Sequence, residues 1–181
     1  MAANNLGITG LLVYTPKKFS DYRGSFSESF NLKLFTELSG LSPQFVQDNE
    51  SISKKNVLRG LHFQIPPHAQ GKLVRVVAGS ALDVAVDLRM GSATYGKHAK
   101  VLLSASEGNV FWIPPGFAHG FLSLTDETIF QYKCTNYYHQ ASEKSIVWND
   151  SALNIDWRIT APVLSPKDAE GVKFVDFISP F

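Results

Sequence analysis

Polar and apolar residues alternate in short runs along most of the chain, and glycine or proline residues separate many of these runs. Runs of this length and alternation, bounded by turn residues, are typical of β-strands. They predict strands at residues 11–14, 25–30, 45–49, 57–64, 72–78, 81–88, 98–104, 109–113, 120–124 and 128–135. Many short strands at this spacing favour a β-sandwich or barrel.

One segment, residues 31–39, has the spacing of a helix instead. Its apolar residues form a partial stripe, and the Asn31 side chain can accept a hydrogen bond from the first helical turn. Residues 161–169 include two prolines, so we expect this segment to be irregular or to carry a short helix. The pattern as a whole therefore predicts an all-β protein with few helices.

Length and charge limit the classes of function. The 181 residues suffice for one domain with a substantial core, and we predict a single domain over residues 1–181. The 17 basic residues nearly cancel the 16 acidic ones, so a net charge of +1 attracts neither nucleic acid nor an anionic membrane. Neither a signal-peptide pattern nor a bilayer-spanning apolar run is present, so a cytoplasmic location is expected.

Polar side chains interrupt four otherwise apolar segments, at residues 58–64, 70–77, 116–121 and 130–134. Taken singly, each has a plain structural explanation: Lys72 suits a solvated sheet face, and His62 or Tyr132 suits the edge of a core. Taken together, the four segments indicate a barrel interior lined by polar groups.

Strand parity refines this picture. Tyr132 shares a strand face with Phe130, and because that face is apolar we expect it to point inward. Arg59 and His62 fall on opposite faces of a regular strand, so both reach one pocket only if a bulge or bend intervenes. Gly60 lies between them, and we expect the irregularity there.

In this order, these segments resemble the dTDP-4-dehydrorhamnose 3,5-epimerases, a family of homodimeric cupin enzymes. The resemblance runs nearly end to end, and its most specific piece is the run Leu-Arg-Gly-Leu-His-Phe-Gln at residues 58–64. The matching segments are residues 21–24 with 28, then 47–49, 58–64, 70–76, 83–89, 112–121, 132–133, 148–150 and 165–168. The resemblance implies a cupin jelly-roll, a β-sandwich or barrel with a few short helices.

The resemblance also implies catalytic roles. His62 is expected to be the general base, and Asp168 is expected to orient and polarise it. Tyr132 is expected to be the acid on the opposite face of the sugar, and Lys72 is expected to lie near the C4 carbonyl. These types suit the chemistry, because a neutral imidazole accepts a proton, a phenol donates one, and a cation stabilises an enolate.

The expected ligand is a dTDP-linked 4-keto-6-deoxy sugar. The expected substrate-binding residues are Arg23, Glu28, Gln47, Asn49, Arg59, His119, Tyr138, Glu143 and Lys167. Arginine suits the diphosphate, while amide and aromatic side chains such as Tyr138 suit thymine. A partner subunit is expected to supply residues 23–28, because the resemblance implies a homodimer with exchanged N-terminal strands.

A metal site is a competing hypothesis, since His62, His119 and Glu143 are all ligand types. Metal-binding cupins carry an H-x-H pair, whereas Phe63 and Gln64 follow His62 here, so we predict neither a metal nor another cofactor. Three other functions are compatible with the same residues: a mono-epimerase acting at C3 or C5 alone, a ketoisomerase, and a cupin that only binds a sugar. Cys134 is a poor candidate for a nucleophile, because its neighbours on the strand face are apolar.

Overall fold

Two five-stranded antiparallel sheets face each other and form a cupin-type β-sandwich with a few short helices, as the sequence predicts. The computed structural model describes residues 6–181. The strands are β1 (Leu12–Tyr14), β2 (Lys18–Asp21), β3 (Gly24–Ser27), β4 (Gln47–Ser53), β5 (Leu58–Gln64), β6 (Lys72–Ala78), β7 (Ser80–Asp87), β8 (His98–Ser104), β9 (Val110–Ile113), β10 (Phe117–Ser123), β11 (Thr128–Cys134) and β12 (Glu143–Ser145).

The first sheet has the order β1-β9-β6-β11-β4, and the second has the order β12-β5-β10-β7-β8. β2 and β3 form a separate two-stranded hairpin. The helices are α1 (Leu32–Ser39) and α2 (Pro166–Ala169), with two 3-10 turns at Gln140–Ser142 and Phe174–Asp176. No helix of residues 6–181 is long and apolar enough to cross a membrane.

Buried side chains form three layers. Val74 and Phe130 of the first sheet pack against Phe121 of the second, and this cluster fills the space between the sheets. A second cluster lies between the other face of the second sheet and the C-terminal part of the chain. In the third, Phe35 of α1 packs edge-on against Trp112 of the first sheet, with ring centroids 5.3 Å apart. Side-chain clusters therefore cover the outer face of each sheet, and apolar side chains fill part of the space between the two sheets.

Local signals place both helices. Asn31 caps α1 as predicted, since its side-chain oxygen accepts a hydrogen bond from the Leu34 N–H at 3.2 Å. Gly40 ends α1 in the left-handed conformation, with a φ of 71°. At α2, Ser165 is the N-cap and Pro166 follows as the first helical residue. The segment at residues 161–169, which was expected to be irregular or to carry a short helix, therefore carries one.

Three predicted strands differ from the structure by more than one residue at a boundary. The strand predicted at residues 25–30 is β3, which ends at Ser27, and the other two are β4 and β10. β4 runs over Gln47–Ser53 instead of residues 45–49, because its polar sequence hides the strand from an apolar-periodicity criterion. β10 begins at Phe117, so the segment through His119 is part of the strand and not of the preceding turn. The short strands β2 and β12 were not predicted, since each is brief and mostly polar.

The β2–β3 hairpin stands apart from the sandwich. All of its residues are exposed, and Phe19 lies opposite Phe26 across its two strands. These rings are 52% and 67% exposed, and Tyr22 at the turn is 97% exposed. A lone two-stranded ribbon is marginally stable in water, and these aromatic rings are uncovered on their own chain.

Candidate active site

A cavity at the open end of the sandwich collects most of the predicted site residues. It consists of two adjoining pockets of about 320 and 400 Å³, which share Asn49, His62, Lys72 and Tyr132. The other predicted residues that line it are Gln47, Arg59, His119, Tyr138, Glu143, Lys167 and Asp168. Pockets of these volumes fall within the range of small-molecule sites.

Arg59 and His62 both line the cavity because β5 carries an extra residue between them. His62 lies opposite His119 of β10, and Arg59 lies opposite Phe121, so three steps along β5 match two along β10. Gly60 has a φ of 126°, and a Cβ there would stand 2.5 Å from a backbone Cα of β10. The expected irregularity at Gly60 is therefore confirmed, and only glycine fits it.

His62 and Asp168 form a pair on the wall made by the second sheet and α2. The His62 Nε2 lies 2.7 Å from Asp168 Oδ1, and it is buried with no other polar partner among the described residues. Asp168 also accepts hydrogen bonds from the Gly60 N–H at 2.9 Å and the Ser165 hydroxyl at 2.5 Å. The start of α2 thus fixes the carboxylate beneath the imidazole.

The electrostatics of this pair suit a general base. Burial on its own raises the pKa of Asp168, but its interactions with His62, Ser165 and Gly60 outweigh burial and hold that pKa well below its usual range. Because the Asp168 carboxylate stays ionised, it favours a proton on the neighbouring Nε2 of His62. The lone pair is then left on Nδ1, where it can accept a proton from a substrate.

Tyr132 and Lys72 line the cavity from the first sheet, across from His62. They lie on the neighbouring strands β11 and β6, and the Lys72 Nζ is 5.8 Å from the centroid of the Tyr132 ring. Burial raises the pKa of Tyr132 to about 12, and burial lowers the pKa of Lys72. Tyr132 shares its inward face with the fully buried Phe130, which confirms the parity prediction.

A second histidine–aspartate pair lies deeper in the same space. The His119 Nε2 is 3.0 and 2.9 Å from the two carboxylate oxygens of Asp83, and both side chains are buried. Burial raises the pKa of Asp83, and it lowers the pKa of His119. Asp83 was not predicted as a site residue; the signal for it was a carboxylate flanked on both sides by apolar residues in β7.

The cavity mouth carries a chain of polar contacts centred on Glu143. Its carboxylate pairs with Lys167 Nζ at 2.5 Å and accepts a hydrogen bond from the Tyr138 hydroxyl at 2.8 Å. Burial raises the pKa of Glu143, but the contacts with Lys167 and Tyr138 outweigh it and lower the pKa overall. Cationic and aromatic groups at this mouth are suited to a charged ligand with a planar ring.

β4 gives the cavity a polar edge. Gln47 Nε2 donates to Asn49 Oδ1 at 2.9 Å, and the side-chain Oε1 of Gln47 accepts from the Tyr138 backbone N–H at 2.9 Å. Farther along, Arg59 Nε donates to the Ser53 hydroxyl at 3.2 Å. Because one face of β4 lines the cavity and the other meets solvent, the strand is polar on both faces.

Arg23 and Glu28 are not brought to this cavity by their own chain. Arg23 lies in the β2–β3 hairpin, where it pairs with Asp21 at 2.7 Å, and Glu28 accepts a hydrogen bond from Asn31. No residue of the hairpin lines the two pockets described above.

The surroundings of Cys134 differ from the prediction. The thiol is buried, but Asn49 Nδ2 lies 3.5 Å from its Sγ and the Lys72 ammonium is close enough to lower its pKa. Burial outweighs these effects and raises the pKa of Cys134, so the thiol is a poor nucleophile for a reason other than apolar neighbours.

Among residues 6–181, no three His, Cys, Asp or Glu side chains are grouped so that they could hold a metal ion. His62 and His119 lie opposite each other, but each is engaged by its own aspartate.

Residues 5–176 match the family model of dTDP-4-dehydrorhamnose 3,5-epimerase. The dTDP-4-dehydrorhamnose 3,5-epimerase of Shigella flexneri is 53% identical over 169 residues, which are 93% of this chain and 93% of the relative. This chain belongs to the dTDP-4-dehydrorhamnose 3,5-epimerase family. As a member of this epimerase family, it is an enzyme of the isomerase class.

Solved structures of the family superpose closely on the sandwich. A 3,5-epimerase from Legionella pneumophila, in complex with dTDP-4-keto-L-rhamnose, is 49% identical with a TM-score of 0.93, covering 98% of this chain and 94% of that one. A 3'-monoepimerase from Streptomyces bikiniensis, in complex with dTDP-quinovose, is 33% identical with a TM-score of 0.89, covering 94% and 86%. A double mutant of that monoepimerase, with a His replaced by Asn and a Tyr by Phe, is also solved with dTDP.

Proposed function

We propose that this protein inverts C3 and C5 of dTDP-4-dehydro-6-deoxy-D-glucose to give dTDP-4-dehydro-L-rhamnose, by metal-independent acid–base catalysis. One observation carries the proposal: His62 with Asp168 lies on one wall of the cavity, and Tyr132 lies on the other. Inversion needs a base on one face of the sugar and an acid on the opposite face. Family membership and the ligand of the Legionella relative support this substrate class.

The first step is removal of a proton beside the ketone. The C4 carbonyl acidifies the C–H bonds at both C3 and C5, so one carbonyl serves both centres in turn. His62 takes the proton on Nδ1, the C–H electrons form the C=C bond of an enolate, and the carbonyl electrons move to oxygen. The ionised Asp168 stabilises the imidazolium that results.

Lys72 stabilises the enolate oxygen. Its ammonium belongs to the same wall as Tyr132 and lies within a partly buried site, where a cation acts more strongly than in water. One preorganised donor of this kind is worth on the order of 10²–10³ in rate.

Tyr132 completes the inversion from the opposite wall. Its phenol gives a proton to the enolate carbon, the C=C electrons form the new C–H bond, and the carbonyl is restored. Since the pKa of Tyr132 is raised to about 12, the phenol carries its proton at rest. Solvent then returns a proton to the phenolate and takes one from the imidazolium.

The remaining cavity residues suit the nucleotide. Arg59 and Lys167 lie at the cavity and supply positive charge for the diphosphate, which Arg can bind in a bidentate manner. The linked amides of Gln47 and Asn49 suit the edge of thymine, and the ring of Tyr138 suits its face. His119 and Glu143 complete the proposed sugar-binding set.

A second copy of the chain supplies Arg23 and Glu28 in this proposal, through a homodimer with exchanged N-terminal strands. The support is the β2–β3 hairpin, which is fully exposed on its own chain and carries the uncovered rings of Phe19 and Phe26. A cytoplasmic location and a single domain over residues 1–181 remain predictions from the sequence.

The test is proton NMR of dTDP-4-dehydro-6-deoxy-D-glucose incubated with the protein in D₂O. Deuterium at both C3 and C5, with inversion at each, is the expected result. No exchange at either carbon would overturn the proposal, and a carbonyl that had moved would identify a ketoisomerase. Activity lost in a chelator and restored by added metal would contradict the metal-independent mechanism.

A mono-epimerase is the second candidate, because a 3'-monoepimerase shares the fold at 33% identity. Its substituted His and Tyr are as far apart in sequence as His62 and Tyr132, so this pair does not distinguish one inversion from two. Deuterium at a single carbon in the same NMR experiment would favour this candidate.

A further inference from the structure

The buried carboxylate of Asp83 has no role in the mechanism above. Its side chain is fully buried and contacts His119 Nε2 through both oxygens, at 3.0 and 2.9 Å. An ionised carboxylate in such a place is costly unless a nearby positive charge compensates it. His119 stabilises the charge on Asp83, but burial lowers the pKa of His119 and weakens that contribution near pH 7; Lys72 is the second cation that lowers the pKa of Asp83.

Strand parity places Asp83 and Lys72 on facing walls. On β7, Asp83 lies between Ala81 and Ala85, which both belong to the cluster between the two sheets. On β6, Lys72 shares parity with Val74, which belongs to the same cluster. His119 and Lys72 line one pocket, and Asp83 lies behind His119. A cation from one sheet and an anion from the other thus share the same enclosed space.

The other titratable groups around Lys72 come from four further elements. They are Cys134 on β11, Glu143 on β12, Lys167 on α2, and His119 on β10, whose titration Lys72 in turn affects. Glu143 is already engaged by Lys167 and Tyr138, and burial keeps Cys134 a neutral thiol. Two carboxylates therefore oppose the effect of burial on Lys72: Glu143, whose charge is shared with Lys167 and Tyr138, and Asp83, which faces Lys72 from the second sheet.

We propose that Asp83, held by His119, is a positioning residue that keeps the Lys72 ammonium charged inside the cavity, so that it can stabilise the enolate. This inference rests on the proposed epimerase mechanism. Asp83 and Lys72 act on each other: Asp83 opposes the lowering of the Lys72 pKa by burial, and Lys72 opposes the raising of the Asp83 pKa by burial.

The direction of the effect follows from the charges. Replacing Asp83 by Asn removes one of the negative charges that oppose the effect of burial on Lys72, so Lys72 releases its proton at a lower pH. A neutral Lys72 cannot stabilise the enolate by its charge. The pH above which kcat declines should therefore be lower in Asp83→Asn than in the wild type. At still higher pH, the kcat of Asp83→Asn should fall toward that of Lys72→Ala, a loss on the order of 10²–10³.

The decisive experiment is an NMR titration of ¹³Cε-labelled lysine in the free protein, with the Lys72 signal assigned by its absence from Lys72→Arg. We expect the midpoint of Lys72 to be lower in Asp83→Asn than in the wild type. Asp87→Asn is the matched control, since Asp87 is an equally buried carboxylate on the same strand that bonds Arg89 instead. It should lower stability without moving the Lys72 midpoint.

A second variant covers the case in which Asp83→Asn does not fold. His119→Gln removes the imidazole beside Asp83, so burial favours protonation of the carboxylate and the Lys72 midpoint should again fall. Asp83→Glu should restore the midpoint and the pH above which kcat declines, at least in part. An unchanged midpoint in the folded variants would overturn the inference.

The titration needs no substrate, so it separates this inference from the proposed function. If the wild type does not exchange deuterium into the sugar but the Lys72 midpoint falls in Asp83→Asn, the epimerase proposal fails and the charge pairing stands. If the wild type inverts both centres and the midpoint does not move, the epimerase proposal stands and the role of Asp83 is wrong.

Discussion

Asp168 and Asp83 are both buried and both contact a histidine, yet their pKa values move in opposite directions. Asp168 also accepts hydrogen bonds from the Gly60 N–H and the Ser165 hydroxyl, and its pKa falls. Asp83 has His119 as its side-chain partner, and burial raises its pKa. The number of donors that reach each carboxylate, and not burial alone, decides whether its pKa falls or rises.

The first prediction concerns the negative charge of Asp168 next to the His62 imidazole. Asp168→Asn should lower kcat by roughly 10²–10⁴ and leave KM nearly unchanged, because the amide neither fixes the tautomer nor stabilises the imidazolium. Steady-state kinetics measures both parameters. Asp150→Asn is the control, since Asp150 is a buried carboxylate that caps backbone N–H groups outside the cavity. A kcat equal to the wild type in Asp168→Asn would rule out its role.

The second prediction is a pH dependence of stability. The pKa of Asp168 is depressed in the folded protein, so its contribution is present above the unfolded value of 3.8 and is lost as the pH falls further. The difference in unfolding free energy between the wild type and Asp168→Asn should therefore shrink below about pH 4. Urea unfolding at several pH values measures it; a difference that grew on acidification would contradict the ionised state.

At the scale of single elements, β5 depends on one glycine. Gly60 allows an extra residue in β5, and this turns both Arg59 and His62 toward the cavity while the apolar side chains Leu58 and Leu61 face the other way. The bulge therefore converts an ordinary amphipathic strand into one that presents two functional side chains three residues apart.

The third prediction tests this bulge. Gly60→Ala should lose about 2–5 kcal/mol of stability and most activity, because the new Cβ meets the backbone of β10 and the φ of 126° disfavours an L residue. Gly108→Ala is the control, since its φ is also positive but a Cβ would meet nothing within 4 Å. Thermal unfolding and kcat measure the outcome. Equal effects of the two substitutions would mean that close packing at Gly60 is unimportant.

The sequence predicts some elements well and others poorly, for physical reasons. β7 was predicted because burial on both faces leaves a nearly continuous apolar run. α1 was predicted because its Asn31 cap and its apolar stripe leave a clear local pattern. β4 was misplaced because one of its faces lines the cavity and the other meets solvent, so that both are polar. Asp83 was missed because a carboxylate flanked by apolar residues does not reveal its partner. Parity predicted the bulge at Gly60, since Arg59 and His62 could not otherwise share a pocket.

At the scale of the whole molecule, two of the expected substrate-binding residues are not in the cavity of their own chain. Arg23 and Glu28 lie away from it, in and next to an exposed hairpin with uncovered aromatic rings. No local sequence pattern could predict this separation, because strand periodicity does not say which subunit a strand completes.

The fourth prediction is complementation between two inactive variants. Arg23→Ala damages the hairpin and His62→Asn damages the base, so a mixed dimer with exchanged hairpins has one intact site. Refolding the two together should give about a quarter of wild-type activity, because half the dimers are mixed and each has one working site. Activity no higher than that of the separate variants would contradict exchange, as would a monomer in sedimentation equilibrium.

Site-resolved deuterium incorporation in D₂O tests the assignment of His62 as the base most directly, in three proteins: the wild type, His62→Asn and Tyr132→Phe. We expect label at C3 and C5 for the wild type and no label for His62→Asn, with dTDP binding retained. Tyr132→Phe should still exchange at a carbon next to the ketone, but invert it much more slowly. Exchange that survives in His62→Asn at the wild-type rate would contradict the assignment of the base, and with it the mechanism.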